Sequence, residues 1–94
     1  MKFESLRISP RENKRFMISF SSPKRIIHFG QLGGSTYIDH KDKIKRNNYL
    51  KRHQVREDWN NINAGSLSAF VLWGPTTSIT ENLVKYLDHF GIEY

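Results

Sequence analysis

His28, His40, His53 and His89 have the widest chemical scope in this chain, because imidazole titrates near neutral pH and ligates metals. Their spacing does not build a metal site. No two stand at i and i+4 as in a helical zinc motif, and there is no cysteine to complete a tetrahedral set. Asp39-His40, His53 and Asn60-Asn61 supply the residue types of a metal-dependent nuclease. Such a centre needs a strand–loop–strand–helix frame, and the segment between these residues reads as a basic helix instead. Gly65-Ser66-Leu67-Ser68-Ala69 superficially matches a nucleophile turn, which requires a strand before it and a base and acid around it. It reads more simply as a helix start with small residues. Gln31-Leu32-Gly33-Gly34-Ser35-Thr36 has neither the spacing nor the Lys-Ser/Thr pair of a phosphate loop, and a turn needing positive φ explains its glycines. The expectation is a non-enzyme with no catalytic residue, metal or cofactor.

Charge carries more information. The net charge is +6, with 15 Lys and Arg against 9 Asp and Glu, and the distribution is lopsided. Residues 1–56 hold 14 cations and 4 acids, whereas residues 57–94 hold Lys85 and 5 acids. One face is therefore expected to meet a polyanion or an acidic protein surface. Lys41, Lys45, Arg46, Lys51, Arg52 and Arg56 are expected to carry that contact from a helix over about 40–56. Its apolar stripe is thin, being Ile44, Tyr49, Leu50 and His53 with Val55 at the edge, and a helix polar nearly all round must be solvated or bound. Reversing Lys45, Arg46, Lys51 and Arg52 to Glu is expected to leave the fold intact. Tyr37, Tyr49 and Trp59 stand beside these cations as candidate aromatic contacts, the pairing that single-stranded nucleic-acid binding uses. Trp59 and Trp73 also suit anchoring roles in a core.

The elements that must position these residues follow from periodicity. Leu6 and Ile8 alternate with Ser5 and Arg7, and Phe16, Ile18 and Phe20 alternate with Met17 and Ser19. With Arg25-Ile26-Ile27-His28-Phe29 they predict an antiparallel meander of about three strands over residues 3–30. Its turns contain Pro10 and Pro23, where no ladder donor is needed. Asp39 is placed to cap the basic helix, with Asp42 in its first turn. Asn63 is placed to cap an apolar helix over about 64–73 that stops at Gly74-Pro75. Ser78-Ile79-Thr80-Glu81 has capping-box spacing for a last helix over about 79–90, with Ile79, Leu83, Leu87 and Phe90 in one stripe and Gly91 as its end. The fold expected is a small single α+β domain over residues 1–94, an N-terminal antiparallel meander followed by about three helices.

Ninety-four residues leave room for one core, and 13% aromatic residues make that core large-grained at only 37% hydrophobic content. Lack of cysteine excludes a disulfide scaffold and a thiolate nucleophile. The longest apolar run, Ala69 to Trp73, falls far short of the roughly 20 residues that span a bilayer, and the N-terminus alternates rather than forming an apolar signal block. A soluble protein made inside the cell is expected.

Taken in order, His28-Phe29-Gly30, Tyr37-x-x-His40-Lys41-Asp42, Arg46-x-x-Tyr49-x-x-Arg52-His53, Trp59, Ala64-Gly65 and Leu72-Trp73 form a series. It resembles a family of small proteins of nucleocytoplasmic large DNA viruses of algae and protists, over roughly residues 26–75. The segment Leu67-Ser68-Ala69-Phe70 departs from that family, whose members carry aromatic and basic residues there. The resemblance implies a protein made in the host cytoplasm and placed in the virion, a minor structural component bound to capsid or other virion proteins. The alternative expectation is a nucleic-acid-binding protein that sets its basic helix on the phosphates of DNA or RNA.

Overall fold

A computed structural model of residues 1–94 gives a three-stranded antiparallel sheet followed by four helices. The strands are β1 (Lys2–Ile8), β2 (Lys14–Ser21) and β3 (Arg25–Gln31), in the order β1-β2-β3. Alternation sets their register: Leu6 pairs with Ile18 and Ile18 with Ile27, while Phe16 faces Phe29 and Phe3 faces Phe20. Ile18, Phe20 and Phe29 are thereby buried on one face of the sheet. The other face bears the rows Arg7-Met17-His28 and Ser5-Ser19-Ile26. A bulge between Phe3 and Ser5 keeps both halves of β1 in register with the core.

Two helical segments cover the buried face. Helix α3 (Ala64–Leu67) runs into a π-helical turn over Ser68–Leu72, and α4 (Ile79–His89) follows after a bend. Leu67, Val71 and Leu72 meet Leu83, Tyr86, Leu87 and Ile92 and the sheet in one cluster. Asn63 caps α3, its side chain accepting from Ser66 N at 2.8 Å. Ser78 caps α4 by accepting from Glu81 N at 3.2 Å. Beyond α4, Gly91 at φ 66° lets Ile92 N donate to Leu87 O and Gly91 N to Asp88 O, a Schellman ending that folds Ile92 into the core. Gly74 is required for a different reason. A Cβ there would collide with Phe70 O and stand 2.7 Å from Asn82 Cγ, so only glycine lets the chain turn between α3 and α4.

The single helix expected over 40–56 is two helices, α1 (Tyr37–His40) and α2 (Lys43–Gln54). Lys41 lies between them in the left-handed region at φ 60°. The cap of the basic helix is Asp42, not Asp39. Asp42 Oδ1 accepts from Ile44 N at 2.9 Å and Lys45 N at 3.2 Å, which requires the extended backbone that interrupts the helix. The Asp42 N–H in turn donates to His40 Nδ1 at 2.9 Å. Asp39 serves α1 instead: its Oδ2 accepts from Thr36 N and Thr36 Oγ1, at 2.9 and 2.7 Å.

Candidate functional site

Helix α2 lies on the surface with no fully buried residue, so what it shows to solvent is set by helical geometry. Arg46, Tyr49, Leu50 and His53 fall on the inner side, and Lys43, Lys45, Lys51 and Arg52 on the exposed side. Lys41 and Arg56 extend that exposed basic face beyond the two ends of the helix. None of these six surface cations pairs with a carboxylate. The ion pair of the molecule is elsewhere, Arg15 with Asp39 at 2.7 Å, and His53 Nδ1 is hydrogen-bonded to Glu57 Oε2 at 3.0 Å. Lys51 and Arg52 in the last turn of α2 are favourably placed for the helix dipole.

Arg46 does not belong to the exposed set. Its Nε donates to Trp73 O at 3.0 Å and Gly74 O at 2.9 Å, and its guanidinium lies 5.6 Å from the centre of the Tyr37 ring. It caps the carbonyl end of the π-helical turn and fastens α2 to it. Reversing it to Glu would put a carboxylate against two carbonyl oxygens, so the expectation that the quadruple reversal spares the fold is corrected here.

The three candidate aromatic residues are placed differently from one another. Tyr37 is 6% exposed and packs under Arg46 with an edge toward His40, so it offers no surface for a partner. Tyr49 is half-buried in a stack, 4.1 Å and 4° from the Trp73 ring and 4.0 Å and 23° from the His53 ring. At the far end Trp73 meets His40 at 5.1 Å with a 60° tilt. Trp59 is half-buried with its edge on Phe70, and its Nε1 donates to Glu57 Oε1 at 2.9 Å. Glu57 therefore uses one oxygen on Trp59 and the other on His53 Nδ1.

Of these groups Tyr49, His53, Glu57 and Trp73 line a cleft of about 640 Å³ between the start of β2, the end of β3, the 34–36 connector, α2 and α3. Lys14 enters from the sheet, Tyr49, Arg52 and His53 from α2, and Ser68 and Trp73 from the far wall. Burial first, and then the Glu57 carboxylate, push the Tyr49 phenol up to about 12, so it is a neutral donor at every physiological pH. Sequence reasoning missed Lys14, Glu57 and Ser68 as members of a site. The available signal was Tyr49-x-x-x-His53-x-x-x-Glu57, two successive i, i+4 steps that put ring, imidazole and carboxylate in one row. The four histidines are dispersed: His28 Nδ1 lies 2.7 Å from Ser9 Oγ on the outer face of the sheet, and His89 is exposed on α4. No three His, Asp or Glu side chains gather in a group that would hold a metal ion, and no helix is long and apolar enough to cross a membrane.

No curated protein and no solved structure matches this chain. A family match runs from β1 through the sheet and α1 to His53 near the end of α2, so it takes in the basic helix and one wall of the cleft, and stops short of α3 and α4. With residues 4–53 matched, just over half of its length, the chain belongs to the family of unknown function DUF5754.

Proposed function

We propose that this protein is a non-enzymatic module that binds nucleic-acid phosphates through the exposed face of α2. One observation carries the reading: Lys41, Lys43, Lys45, Lys51, Arg52 and Arg56 are exposed with no carboxylate partner. Concentrating like charge on one element costs a few tenths of a kcal/mol per neighbouring pair, and an anionic partner removes that cost. Contact with phosphates releases counterions, so affinity falls with salt at a slope of about −0.9 per phosphate neutralised. Four to five contacts from this face predict a slope of roughly −4 for duplex DNA of unrelated sequences. The triple variant Lys45→Glu, Lys51→Glu, Arg56→Glu leaves Arg46 in place and should keep the helical circular dichroism while losing about 100-fold or more in affinity at low salt. Unchanged affinity in that variant, or binding with no salt dependence, sinks the proposal.

A second reading takes its support from the residues of the viral resemblance. His40, Arg46, Tyr49, His53 and Trp73 are scattered over more than thirty positions and pack as one unit. In this reading the protein is a minor virion component, and the same basic face docks on an acidic surface of capsid or other virion proteins. Quantitative mass spectrometry of purified virions, split into capsid and nucleoid fractions, tests it. Absence from both fractions removes the virion reading and leaves the phosphate reading standing.

A further inference from the structure

The buried polar side chains of this molecule are paired with the exception of His40 Nε2, and the open cleft holds further groups with no partner in the protein. Ser66 Oγ lies 2.8 Å from Tyr86 OH and donates to Asn61 O, while Asn82 is saturated by Val71 and Thr76. In the cleft, the Tyr49 hydroxyl, the Lys14 ammonium, the Arg52 guanidinium and the Ser68 hydroxyl make no hydrogen bond within the protein. His53 is also half-committed. Glu57 is an acceptor only, so the proton sits on His53 Nδ1 and Nε2 is left without a partner. The residues bearing these four donors, two of them cationic, and the His53 acceptor line a space of a size typical for small-molecule sites.

Two features narrow the ligand. Glu57 is the sole carboxylate lining the cleft, with both its oxygens turned to Trp59 and His53, so the two cations Lys14 and Arg52 outnumber the negative charge there. The aromatic stack ends here. Trp73 is covered on one side by His40 and on the other by Tyr49, Tyr49 is covered by Trp73 and His53, and no further ring covers the outer face of His53. The His53 side chain remains 28% exposed. A planar heteroaromatic ring laid on that face would extend the stack by one member, as bases do on exposed protein rings.

We propose that the cleft holds one nucleoside phosphate, with its base on the open face of His53 and its phosphate on Lys14 and Arg52. The Tyr49 and Ser68 hydroxyls serve the sugar or the phosphate oxygens. The ligand class rests on the phosphate-binding reading of α2 and Arg52 serves both, but Lys14, Tyr49, His53 and Ser68 lie outside the exposed face that reading uses and distinguish the site from it. A free mononucleotide and the terminal nucleotide of a strand share this chemistry.

The test is an amide and side-chain NMR titration of the full chain with adenosine 5′-monophosphate, adenosine, inorganic phosphate, and short single strands with and without a 5′-phosphate. Shifts at Gly34, Thr36, His53, Gly65 and Ser68 that saturate with the monophosphate by about 10 mM are the expected result. Adenosine and phosphate alone should each bind at least about tenfold more weakly, since each forfeits one half of the contacts. Lys14→Gln should weaken the monophosphate about tenfold and leave duplex binding unchanged, whereas Lys45→Glu with Lys51→Glu should do the reverse. Tighter binding of the 5′-phosphorylated strand than of the free nucleotide assigns the site to strand ends, and equal binding assigns it to free nucleotides. Shifts confined to the outer face of α2, or none by about 10 mM, overturn the cleft site even if duplex DNA binds. Phosphate matching the nucleotide shift for shift overturns the nucleoside half of the proposal. Saturable cleft shifts in a protein that fails to bind duplex DNA uphold this site and remove the α2 reading alone.

Discussion

Arg46→Ala should be among the most damaging changes available on the surface of this protein. The guanidinium supplies one N–H shared between Trp73 O and Gly74 O, at 3.0 and 2.9 Å, and a cationic face 5.6 Å from the centre of the Tyr37 ring. A hydrogen bond from a charged donor contributes about 1.5–3 kcal/mol, and a partly exposed cation–π contact about 0.5–1 kcal/mol. The bifurcated geometry places the first figure toward its lower end, so the sum is about 2–3 kcal/mol. That is a large share of the roughly 5–15 kcal/mol that holds a domain together. With a urea dependence of about 1 kcal/mol per M for a chain this short, the midpoint should fall by about 2 M, and thermal unfolding by roughly 10–20 °C. Arg46→Lys keeps the charge but loses the shared Nε donor, and should recover less than half of the loss. Lys45→Ala, one residue earlier on the exposed side, should stay within about 0.5 kcal/mol. If Arg46→Ala proves as mild as Lys45→Ala in urea titrations followed by far-ultraviolet circular dichroism, Arg46 does not fasten α2 and its assignment is wrong.

Two further outcomes follow from the polar contacts of Asp39 and Asn82. The Arg15 hydrogen bonds hold the Asp39 carboxyl well below its ordinary value of 3.8, with Thr36 adding to the effect and lost hydration opposing it. A carboxyl depressed by folding stabilises above its unfolded value and loses that contribution as pH falls through the folded one, so stability should decline from about pH 5 downward. Because the side chain is 35% exposed, solvent screening limits the contribution to about 1 kcal/mol, and Asp39→Asn should flatten the acid limb of a stability–pH profile by that amount; an unaltered acid limb would contradict the pairing. Asn82→Ala should cost about 2–4 kcal/mol, because it strands Val71 O and Thr76 O and unpins the bend after Gly74; a midpoint shift equivalent to under about 0.5 kcal/mol would refute that role.

The sheet was legible because period two is unambiguous: Phe16, Ile18 and Phe20 against Met17 and Ser19 leave one way to face a core. Helix α4 was legible from its stripe and from Ser78, although the structure shows only the Ser78 half of the capping box. The break at Lys41 was not legible, since no Gly or Pro marks it. It is imposed by Asp42 and His40 hydrogen bonds that compete with helix continuation. Arg46 looked like its neighbours because nothing in local sequence says that a carbonyl pair 27 and 28 residues away will lie within its reach. The cleft was hidden for the same reason. Lys14, His53 and Ser68 belong to three elements, and their convergence is a property of how α2 and α3 dock.

Helix α2 is attached by a different kind of contact from the other elements. With no fully buried residue of its own, α2 is held by ring faces, one guanidinium and short connectors, while the sheet, α3 and α4 share the apolar cluster. Lifting α2 away exposes less apolar area than opening that cluster, so the Arg46 hydrogen bonds and the Tyr49–Trp73 stack carry a large share of what joins the helix to the body. The exposed cations thus sit on an element held mainly by stacking and polar contacts, in front of a body that shares one apolar cluster. Because Tyr49, Arg52 and His53 of α2 form one wall of the cleft, the width of the cleft is set by how firmly Arg46 and Trp73 hold that helix in place.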